Sequence, residues 1–116
     1  AGDRSGLGGE ARVRLATVEA VRGHTDDADQ LVRELLREDE LDPAVRLAAA
    51  VVALSREDGV GARRHAEAAV RLRPDLREAR TLLARVCRID GDTRCVERAL
   101  APLSEDQRQA ALPAAP

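Results

Sequence analysis

The sequence predicts an all-α protein, a solenoid of three helix–turn–helix repeats closed by a short C-terminal capping helix. Two observations carry this prediction. The chain matches itself when shifted by thirty-four residues, and within each copy the apolar residues recur at helical rather than strand spacing. A third supports it: proline, glycine and short polar residues fall where such helices would start and stop. At 116 residues this is one domain, and three stacked hairpins are about the fewest that bury a continuous core.

The middle copy, Leu41 to Asp75, is the clearest. Asp42-Pro43 is a start signal, a carboxylate that caps a helix followed by a proline in the first turn, where its missing N–H is not needed. Ala44 to Leu54 contains one charge, Arg46, before Ser55 to Gly59 breaks the pattern. A second helix places Ala62, Ala66, Ala69 and Val70 on one face, and Pro74 ends it. Shifting by one period superposes Ala16, Ala50 and Ala84, then Val18, Val52 and Val86, then Ala11, Val45 and Ala79, then Leu15, Ala49 and Leu83. The second helices align through Ala28, Ala62 and Val96, through Val32, Ala66 and Leu100, and through Leu35, Ala69 and Leu103. Gly23 and Gly91 share a turn position, whereas Gly59 lies two residues late, which predicts a looser central turn.

The remaining elements follow in order. Residues 1–9 are glycine-rich and read as a flexible lead-in. Glu10 to Arg22 is the first helix, with Leu15, Ala16 and Val18 inward, and Thr25 or Asp26 is expected to cap the next. Asp27 to Glu38 is the most amphipathic segment: Ala28, Leu31, Val32, Leu35 and Leu36 face in, while Asp29, Arg33, Glu34 and Arg37 face water. The third copy opens at Asp75 with Glu78 three residues on, runs to Ile89, turns at Gly91-Asp92 and closes with Thr93 to Ala101 before Pro102. Ser104 and Gln107 form a new capping box, so residues 105–112 read as a capping helix and 113–116 as a frayed tail. The repeats therefore span about 9–42, 43–76 and 77–104.

With these residues in place, the chain resembles the tetratricopeptide repeats. The period, the small residues at the helix crossing, the turn glycines and the proline after AVRLRPD all match, as does LLARVCRIDGD for the first helix and turn, over about Gly9 to Leu103. HEAT and pentatricopeptide arrays have other periods. Two departures stand out: no Trp, Tyr or Phe fills the bulky positions, and Glu40 and Arg108 replace the terminal proline outside the middle copy. The resemblance implies a right-handed superhelix whose first helices line a concave groove. Its groove positions are Ala44, Leu47, Val51 and Leu54 in the middle copy, Glu10, Val13, Thr17 and Ala20 in the first, and Glu78, Thr81, Arg85 and Arg88 in the third. Such a groove is apolar in the middle and basic at one end. The positions with which chaperone-binding members hold a terminal carboxylate are here Val13, Thr17, Ala48, Glu78 and Leu82, so binding of that kind is not expected.

Composition narrows the function. A net charge of −2 with interspersed signs gives no reason to bind nucleic acid, and no apolar run is long enough to insert in a membrane. Neither His24 nor His65 has a nucleophile or ligand beside it, and both read as exposed polar residues. No phosphate loop or metal motif exists, so neither catalysis nor a cofactor is expected. All 19 basic residues are arginine, and with 22 alanines this usage looks like that of a GC-rich bacterium.

Cys87 and Cys95 each lie four residues from Gly91, on the two arms of the third hairpin. Cys87 aligns with Ala53 and points inward, whereas Cys95 precedes Val96 and falls near the rim. Two states stay open, a disulfide, which would point to an exported protein, or two small thiols packed in the hairpin.

The function expected is a non-catalytic protein–protein interaction module, an adaptor or assembly scaffold, alone or as one domain of a larger chain. Its partner would be an amphipathic or extended protein segment with aliphatic anchors on Leu47, Val51 and Leu54 and an acidic residue facing Arg85 or Arg88. The alternative is a structural module that forms a homo-oligomer through the same apolar surface.

Overall fold

The computed structural model describes residues 8–112, and within them the chain forms seven α-helices and no strand. They are α1 (Gly9–Val21), α2 (Thr25–Glu38), α3 (Pro43–Ser55), α4 (Gly59–Leu72), α5 (Arg77–Ile89), α6 (Thr93–Leu100) and α7 (Glu105–Ala111). Most of the lead-in (1–7) and the tail (113–116) lie outside the described residues. Helices α1 and α2, α3 and α4, and α5 and α6 pack as hairpins. The hairpins stack in chain order: α3 rests on both α1 and α2, α5 on α4, and α7 on α5.

Small residues let the hairpins approach. Ala16, Ala50 and Ala84 are all fully buried, and Ala28, Ala62, Ala66, Ala69 and Ala79 lie against them or their neighbours without exposure. Alanine keeps the helix-forming cost low while allowing close backbone packing. Larger side chains fill what is left: Leu31, Val32 and Val52 between the first two hairpins, and Leu83, Leu100 and Leu103 in the third. A smaller cluster of Ala53, Ala62 and Val86, with Leu54 against it, joins the second hairpin to the third. Among the described residues no polar or charged side chain is fully buried.

The three hairpin turns are one structure used three times. Gly23 donates its N–H to Ala20 O and His24 to Glu19 O, Glu57 to Leu54 O and Asp58 to Ala53 O, and Gly91 to Arg88 O and Asp92 to Cys87 O. Each is the paired bonding of a Schellman motif, which requires a left-handed residue just past the helix. Gly23 and Gly91 take it at φ 87° and 74°, and Glu57 takes it at φ 60°. The central turn is therefore not looser, contrary to the expectation from Gly59. It keeps the register of the other two and places a side chain where they use glycine.

That register also fixes the caps. The residue after the left-handed one caps the second helix. Asp58 accepts from Gly61 N at 2.9 Å and Asp92 from Cys95 N at 3.1 Å. In the first copy the same position is His24, whose side chain makes no cap bond, so neither Thr25 nor Asp26 caps α2. Asp42 caps α3 through Ala44 N at 2.9 Å, with Pro43 in the first turn as expected. By contrast α5 starts at Arg77 after an uncapped Leu76, because Asp75 is held by Arg73 at 3.1 Å instead. The Ser104 and Gln107 capping box of α7 forms in full.

Cys87 and Cys95 are joined by a disulfide, with Cα atoms 5.8 Å apart. Cys95 is 4 % exposed rather than at the rim, because the tight turn at Gly91 brings the first turn of α6 under the last turn of α5. The bridge closes a short loop inside the cluster of Leu83, Ala99 and Leu100.

Two outcomes follow from this packing. Glu57→Gly removes a left-handed strain of about 1 kcal/mol and keeps the turn, so the unfolding free energy should rise by up to that amount; an unchanged or lower value counts against strain at Glu57. Reductant, or Cys87→Ala with Cys95→Ala, should remove about 2 to 3 kcal/mol of stability, read from denaturant unfolding. Titration of two free thiols in the folded, unreduced protein would show that the bridge is absent.

Candidate binding cleft

The first helices differ in how tightly they pack. Helix α3 lies closely on α1 but barely touches α5. In the first copy the contact positions carry Val13, Thr17 and Ala20, and α3 seals over them, Val13 and Ala20 joining the core between the first two hairpins. In the second and third copies the positions carry Leu47 and Val51 against Thr81 and Arg85, and a cleft opens between the helices. Helix α7 forms its third wall. The cleft holds about 460 Å³, with Leu47, Val51, Leu82 and Ala110 as its apolar lining and Arg77, Glu78 and Arg85 as its charges.

Of the predicted groove residues, Leu47, Val51, Glu78, Thr81 and Arg85 line this cleft. The others do not join them. Val13 is half-buried in the first core cluster, and the Thr17 hydroxyl donates to Val13 O at 3.2 Å, so its polarity is satisfied within its own helix. Leu54 packs on the small cluster with Ala53 and Val86. Arg88 lines a separate cleft with Gly91, Asp92 and Val96. Val51 is itself packed partly against the first cluster, so it supports the core as well as the cleft. The continuous stripe over three copies is thereby reduced to a site on α3 and α5.

Helix α7, expected from the sequence as a cap on the end of the stack, packs on α5 and walls this cleft. Arg85 donates from Nε to Ala111 O at 3.0 Å, satisfying one of the carbonyls that a helix end leaves without a partner. Arg108 in turn reaches carbonyls at and just past the end of α6, Leu100 O at 3.1 Å, Leu103 O at 3.0 Å and Ala101 O at 2.8 Å. Cations at helix C-termini also meet the negative end of the helix dipole. Arg85 is thus an anchor for α7 rather than a free basic rim. Arg77, beside Glu78 at 3.8 Å and exposed at the mouth, is the cation better placed for a ligand.

A column of arginines braces the outer ends of the hairpins. Arg46 Nε donates to Glu40 O at 2.9 Å and Arg80 Nε to Pro74 O at 2.6 Å, one period apart. Arg12, the same position in the first copy, forms a two-pronged pair with Glu38, which holds that carboxyl below its ordinary range. Arg46 also contacts His65 Nδ1 at 3.1 Å. His65 is half-buried and not on the open surface, because its column is the one filled by Leu31 and Ala99. Burial pushes its pKa down, and the nearby cations Arg46 and Arg64 push it further. Asp92 titrates below its usual range because it accepts from Cys95 N–H and from Arg63 at 2.8 Å.

Among the described residues no three His, Cys, Asp or Glu side chains gather as a metal site, and no helix is long and apolar enough to cross a membrane. No protein-family model, curated protein or solved structure matches this chain.

The His65 shift gives a pH dependence with a definite sign. The folded chain holds the imidazole below its ordinary value of about 6.5, so near that pH the unfolded chain binds more protons and stability falls as pH drops through it. The paired carboxylates contribute only further down. The melting temperature should therefore decline between about pH 7.5 and 5.5, and less so in His65→Leu, which restores the residue of the Leu31 column. Equal declines in both proteins would rule out His65 as the cause.

Proposed function

We propose that this chain is a non-catalytic protein–protein interaction module of the tetratricopeptide type, an adaptor or assembly scaffold that holds a partner segment in the cleft between α3, α5 and α7. The observation that carries the reading is the cleft itself: apolar side chains of Leu47, Val51, Leu82 and Ala110 between packed helices, with Arg77 and Glu78 at the mouth. Concave apolar sites with a few polar groups are where proteins bind ligands. The repeated Schellman turns, at one period, support the repeat assignment and the superhelix it implies. The segment bound is amphipathic or extended, sets two aliphatic side chains on Leu47 and Val51, and carries a carboxylate toward Arg77.

A displayed library of short peptides selected on the domain tests this. Enriched peptides should share aliphatic residues at helical or alternate spacing with a nearby acid. Leu47→Asp, which puts a charge on the cleft floor without touching the main clusters, should weaken them by several kcal/mol, and Arg77→Ala by about 1 with reduced salt dependence. Peptides that bind Leu47→Asp unchanged would place recognition elsewhere. The second reading, a structural module, is favoured by the same apolar lining acting as a self-association face; concentration-dependent mass lost in Leu47→Asp would select it.

A further inference from the structure

The repeat places a knob at one end of the stack and its socket at the other. Val52 and Val86 occupy one column on successive first helices, and both are buried. Val52 packs in the cluster that contains Ala20 and Ala28, and Val86 in the one that contains Ala62, with Leu54 against it. The receiving positions are thus the same pair in each hairpin, Ala20 with Ala28 and Leu54 with Ala62. In the third hairpin that pair is Arg88 with Val96, and with Gly91, Asp92, Thr93 and Leu112 they line a cleft of about 250 Å³. The knob of the first hairpin is Val18. It is 45 % exposed, against the expectation that it faces inward, because no hairpin among the described residues packs on that side of α1.

Charge follows the same period. Each junction between hairpins pairs a turn residue with a residue on the second helix of the hairpin before it: Arg56 with Asp29 at 3.3 Å, then Asp90 with Arg63 at 3.4 Å. The sign reverses between the two junctions while the positions stay fixed. At the ends of the stack the turn position is Arg22 and the helix position is Glu97, both exposed and opposite in sign.

We propose that the α1 end of one molecule docks on the α5–α6 end of a second copy, Val18 entering the cleft beside Val96 and Arg22 pairing with Glu97, so that the stack continues head to tail. This surface is distinct from the α3–α5 cleft and does not rest on peptide binding there. Such contacts join unlike faces and need not close, so they generate chains of copies rather than a fixed dimer.

Sedimentation of the intact chain from micromolar to millimolar concentration tests the proposal. The average mass should rise with concentration. Val18→Asp, at a position exposed in the single molecule, should leave helical content unchanged and weaken association by more than about a hundredfold, since it buries an unpaired charge. Arg22→Glu and Glu97→Arg should each weaken it severalfold, because each alone sets like charges against one another at the junction. An equimolar mixture of the two variants should restore association, since in an alternating chain every junction again joins one acidic and one basic residue. A monomer at every concentration overturns the proposal. So does association that survives Val18→Asp, or that disappears in Leu47→Asp instead.

Discussion

Everything in this fold depends on how closely one hairpin can lie on the next. With no Phe, Tyr, Trp or Met, the chain has no large side chain to fill a gap, so stability has to come from many small contacts at short range. The alanine columns supply them. Ala16, Ala50 and Ala84 are fully buried one period apart, and among the described residues the fully buried side chains of any size are few: Leu31, Val52, Val86 and Cys87. A core this thin stabilises each hairpin mainly through its neighbours, as hairpins stacked in a row must. The disulfide belongs to the same logic, because it reinforces the third hairpin, whose second helix is the shortest of the three.

The charged residues are placed by the same period. Arg46 and Arg80 close the outer ends of their hairpins by donating to carbonyls in the connection before them, which would otherwise be left to water. Arg108 does this for α6 and so holds α7 in place. These are donors to helix-end and loop carbonyls, a use that suits the planar, fork-shaped guanidinium better than an ammonium group. It gives the exclusive use of arginine in this chain a structural consequence, whatever its origin.

How much is legible in the sequence depends on whether a feature repeats. The six hairpin helices, their order and the core columns follow from a pattern seen three times, and the clearest break in a column is at Val18, which no hairpin among the described residues covers. The central turn escapes a reading that uses glycine as its marker. What the turn needs is a left-handed residue at a fixed distance from the crossing, and Glu57 meets that need at a cost. The site is less legible than the fold. Placing Leu47 and Val51 together needs only the repeat, but α7 occurs once, and nothing in residues 105–112 says that Arg85 will hold their last turn.

The position of α7 also decides what kind of site the groove can be. Without it, Thr81 and Arg85 would belong to a shallow face open along its length. With it, the face becomes a three-walled cleft whose floor is Leu47 and Val51. One wall is a seven-residue helix held largely by arginine bonds to backbone carbonyls and by the buried methyl of Ala111. A wall anchored by so little apolar area should yield more readily than the packed hairpins, since local stability follows buried contacts. Any segment entering the cleft therefore meets a firm side formed by α3 and α5 and a compliant side formed by α7, so selectivity should reside in the first and adjustment to ligand size in the second.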